Sequence, residues 1–262
     1  AMASYELSTG TIKLLADKQV EKRRLAVNDI VSGLVALDPL PETKVQDLIR
    51  VLTYSHTTSQ STHTRKGGLM ALAGIGSVFP SPLLLPPILS LVLDADSGVR
   101  YTAIESLWNL CLTCPSLVVA AAPRVLVACL QACADVSASV RGAAIPCNEA
   151  FRTALLSQPS SIDTRGSLDA DSDGTVPSTP SQIPSLVQTL CEQIAIPNSH
   201  LRLCCLTWLE ALHSSPSVSL VPLLTTVLPA LFAPLTQSVY TGTGSEGQTP
   251  HPTQPEGEGE GE

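Results

Sequence analysis

The sequence predicts an all-α protein built as a solenoid of paired helices. Three observations carry that prediction. An arginine recurs at the head of five similar stretches. The 262 residues are 44% hydrophobic but only 3% aromatic, so Leu, Ala and Val make the core and favour helix-on-helix packing over a sandwich. Polar, turn-forming runs such as "DADSG" and "PNS" cut the chain into helix-length pieces.

The five stretches are "EKRRLAVNDIVSGL" with Arg23, "HTRKGGLMALAGI" with Arg65, "DADSGVRYTAIESLWNL" with Arg100, "DVSASVRGAAIPCNEAF" with Arg141 and "PNSHLRLCCLTWLEAL" with Arg202. Each has a polar lead-in, the arginine, and a small or apolar residue three places on: Ala26, Gly68, Ala103, Ala144, Cys205. In four of them an apolar residue follows four positions later: Ile30, Leu72, Leu107, Leu209. The fourth stretch has Asn148 there and is the weak copy. The arginines are 42, 35, 41 and 61 residues apart, and the last gap holds a Ser-, Pro-, Asp-, Gly- and Thr-rich run at 157–182. Such a run does not support a packed helix. Without most of it the period returns to about 40 residues, the mark of HEAT- or armadillo-type solenoids with two helices per unit. A unit of that kind buries its apolar face only by stacking on its neighbours.

Each arginine stretch is the second (B) helix of a pair. The partner A helices read "PETKVQDLIRVLTYS" (41–55), "SPLLLPPILSLVLD" (81–94), "VVAAAPRVLVACLQACAD" (118–135) and "SQIPSLVQTLCEQIA" (181–195). Most open on Ser, Pro or Glu, as helix starts do. The second B helix carries "RKGGLMALAGIG", which has the glycines of a phosphate loop but not its context. Its Lys precedes the glycines and no strand leads into them. These glycines are read as points where neighbouring helices approach closely, at about 0.5–1 kcal/mol of helix stability each relative to Ala. The uncharged stretch 214–240 is long enough to raise the question of a membrane span, but it contains Pro222, Pro229 and Pro234 and falls where a sixth A helix is due. The expected organisation is therefore about five helix pairs plus an unpaired last helix. Repeats occupy 1–156 and 183–236, with a disordered insert at 157–182 and a disordered, acidic, Gly-rich tail at 237–262.

A net charge of -8 argues against a nucleic-acid partner. The N-terminal stretch has no apolar run of signal-peptide length, which points to a cytoplasmic chain. Eight cysteines include Cys111 and Cys114 spaced C-x2-C and Cys129 and Cys133 spaced C-x3-C. All four fall in apolar helical segments without a Gly knuckle, so buried thiols are favoured over zinc. No catalytic constellation or cofactor motif is present: no metal-ligand pairing links the five histidines, and His56, His63 and His200 read as solvated turn or loop residues. Asp94 and Asp96 precede Arg100 and read as helix caps or as partners of an inter-repeat arginine ladder, with partner contact as the alternative. Arg23, Arg65, Arg100, Arg141 and Arg202, with Asp96 and Asp135, are the candidate inter-repeat residues. The cluster of Lys18, Lys22, Arg23 and Arg24 is either a solvated helix face or a lipid or partner surface.

The stretches "RKGGLMALAGI" and "DADSGVRYTAIESLWNL", with the lead-in "LADKQVEKRRLAVNDI" (15–30) and the later "LRLCCLTWLEALHSSPSVSLVPLLTTVLPALF" (201–232), resemble in the same order the N-terminal HEAT region of the Vac-fourteen family. The resemblance covers 11–156 and 183–235. It implies a non-enzymatic scaffold of a phosphatidylinositol 3-phosphate 5-kinase complex that controls phosphatidylinositol 3,5-bisphosphate. Such a chain is cytoplasmic and held peripherally on endosomal or vacuolar membranes through its partners. It implies kinase docking on the N-terminal repeats, including the fourth B helix (139–156), where Pro146 is expected to introduce a kink. A Sac-type phosphoinositide phosphatase would be engaged only through a C-terminal half that is absent here, so the chain reads as a fragment or truncated gene model. Lys22, Arg24, Lys66 and Tyr101, polar or amphipathic beside the repeat arginines, are the candidate partner contacts. The alternative is a generic HEAT-repeat adaptor for transport or complex assembly.

Overall fold

The computed structural model describes residues 7–37, 39–157, 179–216 and 218–241, the side chains of 179–181 and 235–241 excepted. Among the described residues every regular element is helical. The first pair is α1 (Thr9–Leu15) and α2 (Val20–Val35). The second is α3 (Glu42–Leu52), prolonged by a π turn at Thr53–Thr57, and α4 (Thr62–Gly76). A 3-10 turn at Pro82–Leu84 leads into α5 (Leu85–Leu91), which pairs with α6 (Ser97–Thr113). A short α7 (Pro115–Ala120) precedes the fourth pair, α8 (Ala122–Cys133) and α9 (Ala138–Leu156). The fifth pair is α10 (Thr179–Ile194) and α11 (Ser199–Ser214), and α12 (Leu224–Thr241) follows alone. The described residues form an all-α solenoid of five helix pairs and a last single helix.

Local chemistry sets the boundaries. Asp96 caps α6 by accepting the Val99 N–H at 2.9 Å, and Asn198 caps α11 by accepting that of Leu201 at 3.0 Å. Ser61 does the same for α4, and Ser8 for α1. Proline stands in the first turn of α5, α7 and α8, where its missing N–H costs nothing. The B helices pack in succession, α2 on α4, α4 on α6 and α6 on α9, while α8 bridges to both α10 and α11. One apolar core runs from Leu15 to Val227 without a break.

The glycines of α4 are contact points. A Cβ on Gly67 would sit 1.9 Å from the Leu15 carbonyl oxygen, so the end of α1 rests on the α4 backbone. On Gly68 it would meet His56 Cβ at 2.7 Å, on Gly74 Val27 Cγ1 at 2.6 Å, and on Gly76 Leu110 Cδ2 at 2.4 Å. Four neighbours thus close on one helix: at Gly67 backbone leaves no room for a side chain, while at Gly74 and Gly76 the tips of Val27 and Leu110 would have to shift.

The structure bears on three expectations. First, Pro146, where a kink is expected, lies inside one continuous helix, α9. Proline removes the donor that the Gly142 carbonyl would use, and the helix is open there: a Cβ on Gly142 would meet nothing within 4 Å. Second, His56 is not solvated. It is buried in the π turn, with Nδ1 2.8 Å from Ser55 Oγ, and burial pushes its pKa down. His200 is exposed, as expected, but belongs to the first turn of α11. Third, helix occupies 179–182 and 237–241, the edges of the segments expected to be an insert and a tail. The remainder of both segments lies outside the described residues. No helix is long and apolar enough to cross a membrane among the described residues. Pro229 and Pro234 sit within α12.

Candidate functional site: an arginine ladder beside a B-helix groove

Each recurrent arginine bends back over the turn that precedes its helix. Arg23 Nη1 donates to the carbonyls of Asp17 and Lys18, at 2.7 and 3.0 Å. Arg65 does so to Ser59 and Gln60, Arg100 to Asp94 and Ala95, and Arg141 to Asp135 and Val136. Arg202 reaches Ile194 and Ala195 instead, through Nε and Nη2. The guanidinium thereby satisfies turn carbonyls at or just beyond the end of the A helix, near the helix end where a cation is favoured.

The opposite edge of the guanidinium reaches the next repeat. Arg65 Nη2 donates to Asp94 Oδ1 at 2.9 Å, and Nε lies 2.8 Å from Oδ2. Arg100 donates from Nε and Nη2 to the two Asp135 oxygens, at 2.6 and 2.9 Å. Both pairs are mostly buried; the Arg100 pair is two-pronged, the geometry for which Arg is suited, while Arg65 makes one hydrogen bond with its Nε close by. The Arg100 hydrogen bond holds the Asp135 carboxyl below the usual carboxylate range, and Asp135 raises the Arg100 pKa in return. The acid of each rung stands six residues before the next arginine. By that register Asp94 belongs to the ladder and Asp96 does not. Asp96 caps α6 and meets Lys66 Nζ at 3.4 Å. Burial raises the Asp96 pKa, but the Val99 N–H and Lys66 outweigh it and keep the carboxyl ionised.

The ladder lacks an acid at both ends. The rung position ahead of Arg65 is Ser59, and Arg23, which would face it, is buried with no hydrogen bond to Nε. The position ahead of Arg202 is Ile196, so Arg141 meets no carboxylate from the next turn. At that second junction Asn148 supplies the link. Its Nδ2 donates to the Ala144 carbonyl at 2.9 Å, and its Oδ1 accepts Trp208 Nε1–H at 2.9 Å. Trp208 packs on Phe151 with ring centroids 5.3 Å apart, and Arg152 lies over the indole. The residue that breaks the sequence pattern is the buried polar hinge pin between the fourth and fifth pairs.

Beside the ladder, α2, α4 and α6 enclose a groove of about 590 Å³. Arg24, Lys66 and Tyr101 line it together with Arg23, Asn28 and Glu105. Three of the four candidate partner residues therefore converge. Lys22 lies outside the groove and pairs with Asp17 at 3.1 Å. The Gln19 N–H, and then Lys22, hold the Asp17 pKa down. None of the four is without an intramolecular partner. Arg24 pairs with Glu21 at 3.0 Å, and Tyr101 donates to Glu105 at 2.9 Å, which raises the Tyr101 pKa. Exposed pairs of the Arg24–Glu21 kind contribute little and exchange readily for an incoming group. No cluster of three or more His, Cys, Asp or Glu is arranged to hold a metal ion among the described residues.

Residues 63–152 match the family model described as the Vacuolar 14 Fab1-binding region. The chain is also 25% identical over 235 residues to the Protein VAC14 homolog of Arabidopsis thaliana, covering 86% of this chain and 29% of that protein. Both likenesses point the same way: the chain resembles Vac14 proteins.

It spans under a third of the length of that Vac14 relative. Two crystal structures of engineered proteins align over 90% of the chain at 16% identity, with TM-scores of 0.43 and 0.42 and coverage of 89% and 54% of their own chains. That likeness is too slight to argue from. The matched region runs from α4 into α9 and contains both complete rungs of the ladder. It includes Lys66 and Tyr101; Lys22 and Arg24 precede it.

Proposed function

We infer that this chain is the kinase-docking part of a non-enzymatic scaffold, a regulatory subunit of a phosphatidylinositol 3-phosphate 5-kinase complex. The match of residues 63–152 to a Fab1-binding region carries the reading. The kinase docks along the B-helix face, and the α2–α4–α6 groove, the part of that face richest in charged and amphipathic side chains, anchors it. Solenoids use such continuous surfaces to hold extended partners. The scaffold works on endosomal or vacuolar membranes, reached through its partners, and a Sac-type phosphatase is engaged by other parts of the assembly.

A tagged chain should recover the 5-kinase from cell lysate and leave the phosphatase behind. Arg24→Glu combined with Lys66→Gln should weaken that recovery by about tenfold, roughly 1.4 kcal/mol. Lys22→Glu, outside the groove, should leave it unchanged. A folded chain that recovers neither enzyme would sink the docking reading in favour of a generic adaptor. Recovery of the phosphatase without the kinase would overturn the division of labour.

A further inference from the structure

The fourth and fifth helix pairs are joined at one point by sulfur. Cys133, at the C-terminal end of α8, has its Sγ 3.2 Å from Sγ of Cys204 on α11. These residues are 71 positions apart in the chain. Asn148 touches both: its Nδ2 donates to Cys133 Sγ at 3.3 Å, and its Oδ1 lies 3.6 Å from Cys204 Sγ. Two unbonded sulfurs this close need only about 1.2 Å of further approach to reach the ~2.05 Å of a disulfide. Both residues line a groove of about 550 Å³ between α9 and α11. Cys204 is partly exposed there.

We propose that Cys133 and Cys204 are a site of reversible oxidation by hydroperoxides, forming a disulfide that locks the fourth pair to the fifth. Cys133 ionises first, because the Cys204 S–H and the Asn148 amide donate to its sulfur and lower its pKa despite burial. The Cys133 thiolate attacks the distal peroxide oxygen. The O–O bond breaks, the S–O bond forms, and the leaving hydroxide takes up the proton lost from the thiol as water. Cys204 then attacks the Cys133 sulfenic acid at sulfur. The S–S bond forms, and the sulfenic hydroxyl leaves with the Cys204 proton as a second water. Two thiols and one hydrogen peroxide thus give one disulfide and two waters, and a thiol reductant reverses the bond.

The neighbouring thiols are placed differently. Cys129 and Cys147 face each other at 3.8 Å but are sealed in the core. Burial and a neighbouring carboxylate raise the pKa of Cys191, and burial first of all raises that of Cys205, to about 12. Access, proximity and ionisation coincide only at Cys133 and Cys204 among the described cysteines.

The full chain should be treated with hydrogen peroxide under native conditions, digested without reduction, and mapped by mass spectrometry. The expected result is loss of two free thiols, a peptide cross-linked through Cys133 and Cys204, and a rise in Tm that dithiothreitol reverses. Cys204→Ser should abolish the cross-link and the Tm shift, and Cys111→Ser should abolish neither. If Cys133→Ser fails to fold, Cys204→Ala gives the same reading from the exposed side. Intact thiols in a folded, peroxide-treated chain would overturn the proposal. So would a cross-link through other cysteines, or sulfinic acid at Cys204 with Cys133 reduced.

Discussion

At the scale of single residues the molecule rests on a few buried polar atoms whose partners lie a whole repeat away. Arg100 illustrates it: one guanidinium satisfies two carbonyls of its own turn and a nearly buried carboxylate of the next. Arg100→Ala leaves Asp135 ionised without its cation. It should lower the unfolding free energy in urea by roughly 1–3 kcal/mol, the range for leaving a buried hydrogen-bonding group unpaired. Arg24→Ala, removing an exposed pair, should change it by less than about 0.5 kcal/mol. His56 sets a pH dependence. Its pKa is depressed by burial, so the unfolded chain binds a proton more readily than the fold does. Stability should therefore be full above the unfolded value of about 6.5 and fall as pH drops below it, flattening only once the folded-state pKa is passed. Denaturation midpoints measured between pH 5 and 8 should show that slope, and His56→Leu should remove it. The arginines were legible from their period, because each copy repeats the same lead-in. Asp94 was not separable from Asp96, since both precede Arg100 within six residues and both are natural caps; only the i−6 register, visible once Asp135 is placed, distinguishes them. Asn148 looked like a defect because its partner, Trp208, is 60 positions away. No local pattern announces such a pair.

At the scale of helices, α4 is where close approach decides the sequence. In an exposed helix interior, Gly→Ala stabilises by about 0.5–1 kcal/mol. Gly142→Ala in α9, with open space around the new Cβ, should do so. Gly67→Ala should do the opposite despite the same gain in helix propensity, because the methyl would meet backbone, the Leu15 carbonyl, which cannot step aside as a side chain can. Chemical denaturation of the two variants should give shifts of opposite sign. If both stabilise, α1 does not rest on α4. The glycine reading was accessible from sequence because the phosphate-loop alternative fails on residue order alone. The course of α9 through Pro146 was not, because proline's cost depends on what surrounds the carbonyl it leaves unpaired.

At the scale of the whole chain, the core is continuous but its last helix is half covered. Val227 is buried against the fifth pair, while Leu224, Leu228 and Phe232, spaced four residues apart, form an exposed apolar stripe on α12. Contiguous apolar surface of this kind promotes association. The isolated chain should therefore show a concentration-dependent rise in mass by light scattering. Replacing Leu228 and Phe232 with Gln should suppress it without lowering Tm. A wild-type chain that stays monomeric at high concentration would mean that the stripe is too small to drive assembly.

The spacing of the rungs has a mechanical meaning. Two consecutive repeat boundaries, α4 to α6 and α6 to α9, are riveted by paired arginine and aspartate. The boundary before them lacks its acid, and the one after is held by an amide and two thiols. A solenoid so fastened does not bend as a uniform spring. Its middle behaves as a stiff plate, and curvature changes gather at the two flanking joints, one beside the α2–α4–α6 groove and one beside Cys133 and Cys204. A partner that grips both flanks would feel the plate as a lever of fixed length. Closing the second joint with a covalent bond would leave the first as the remaining place for the arm to flex.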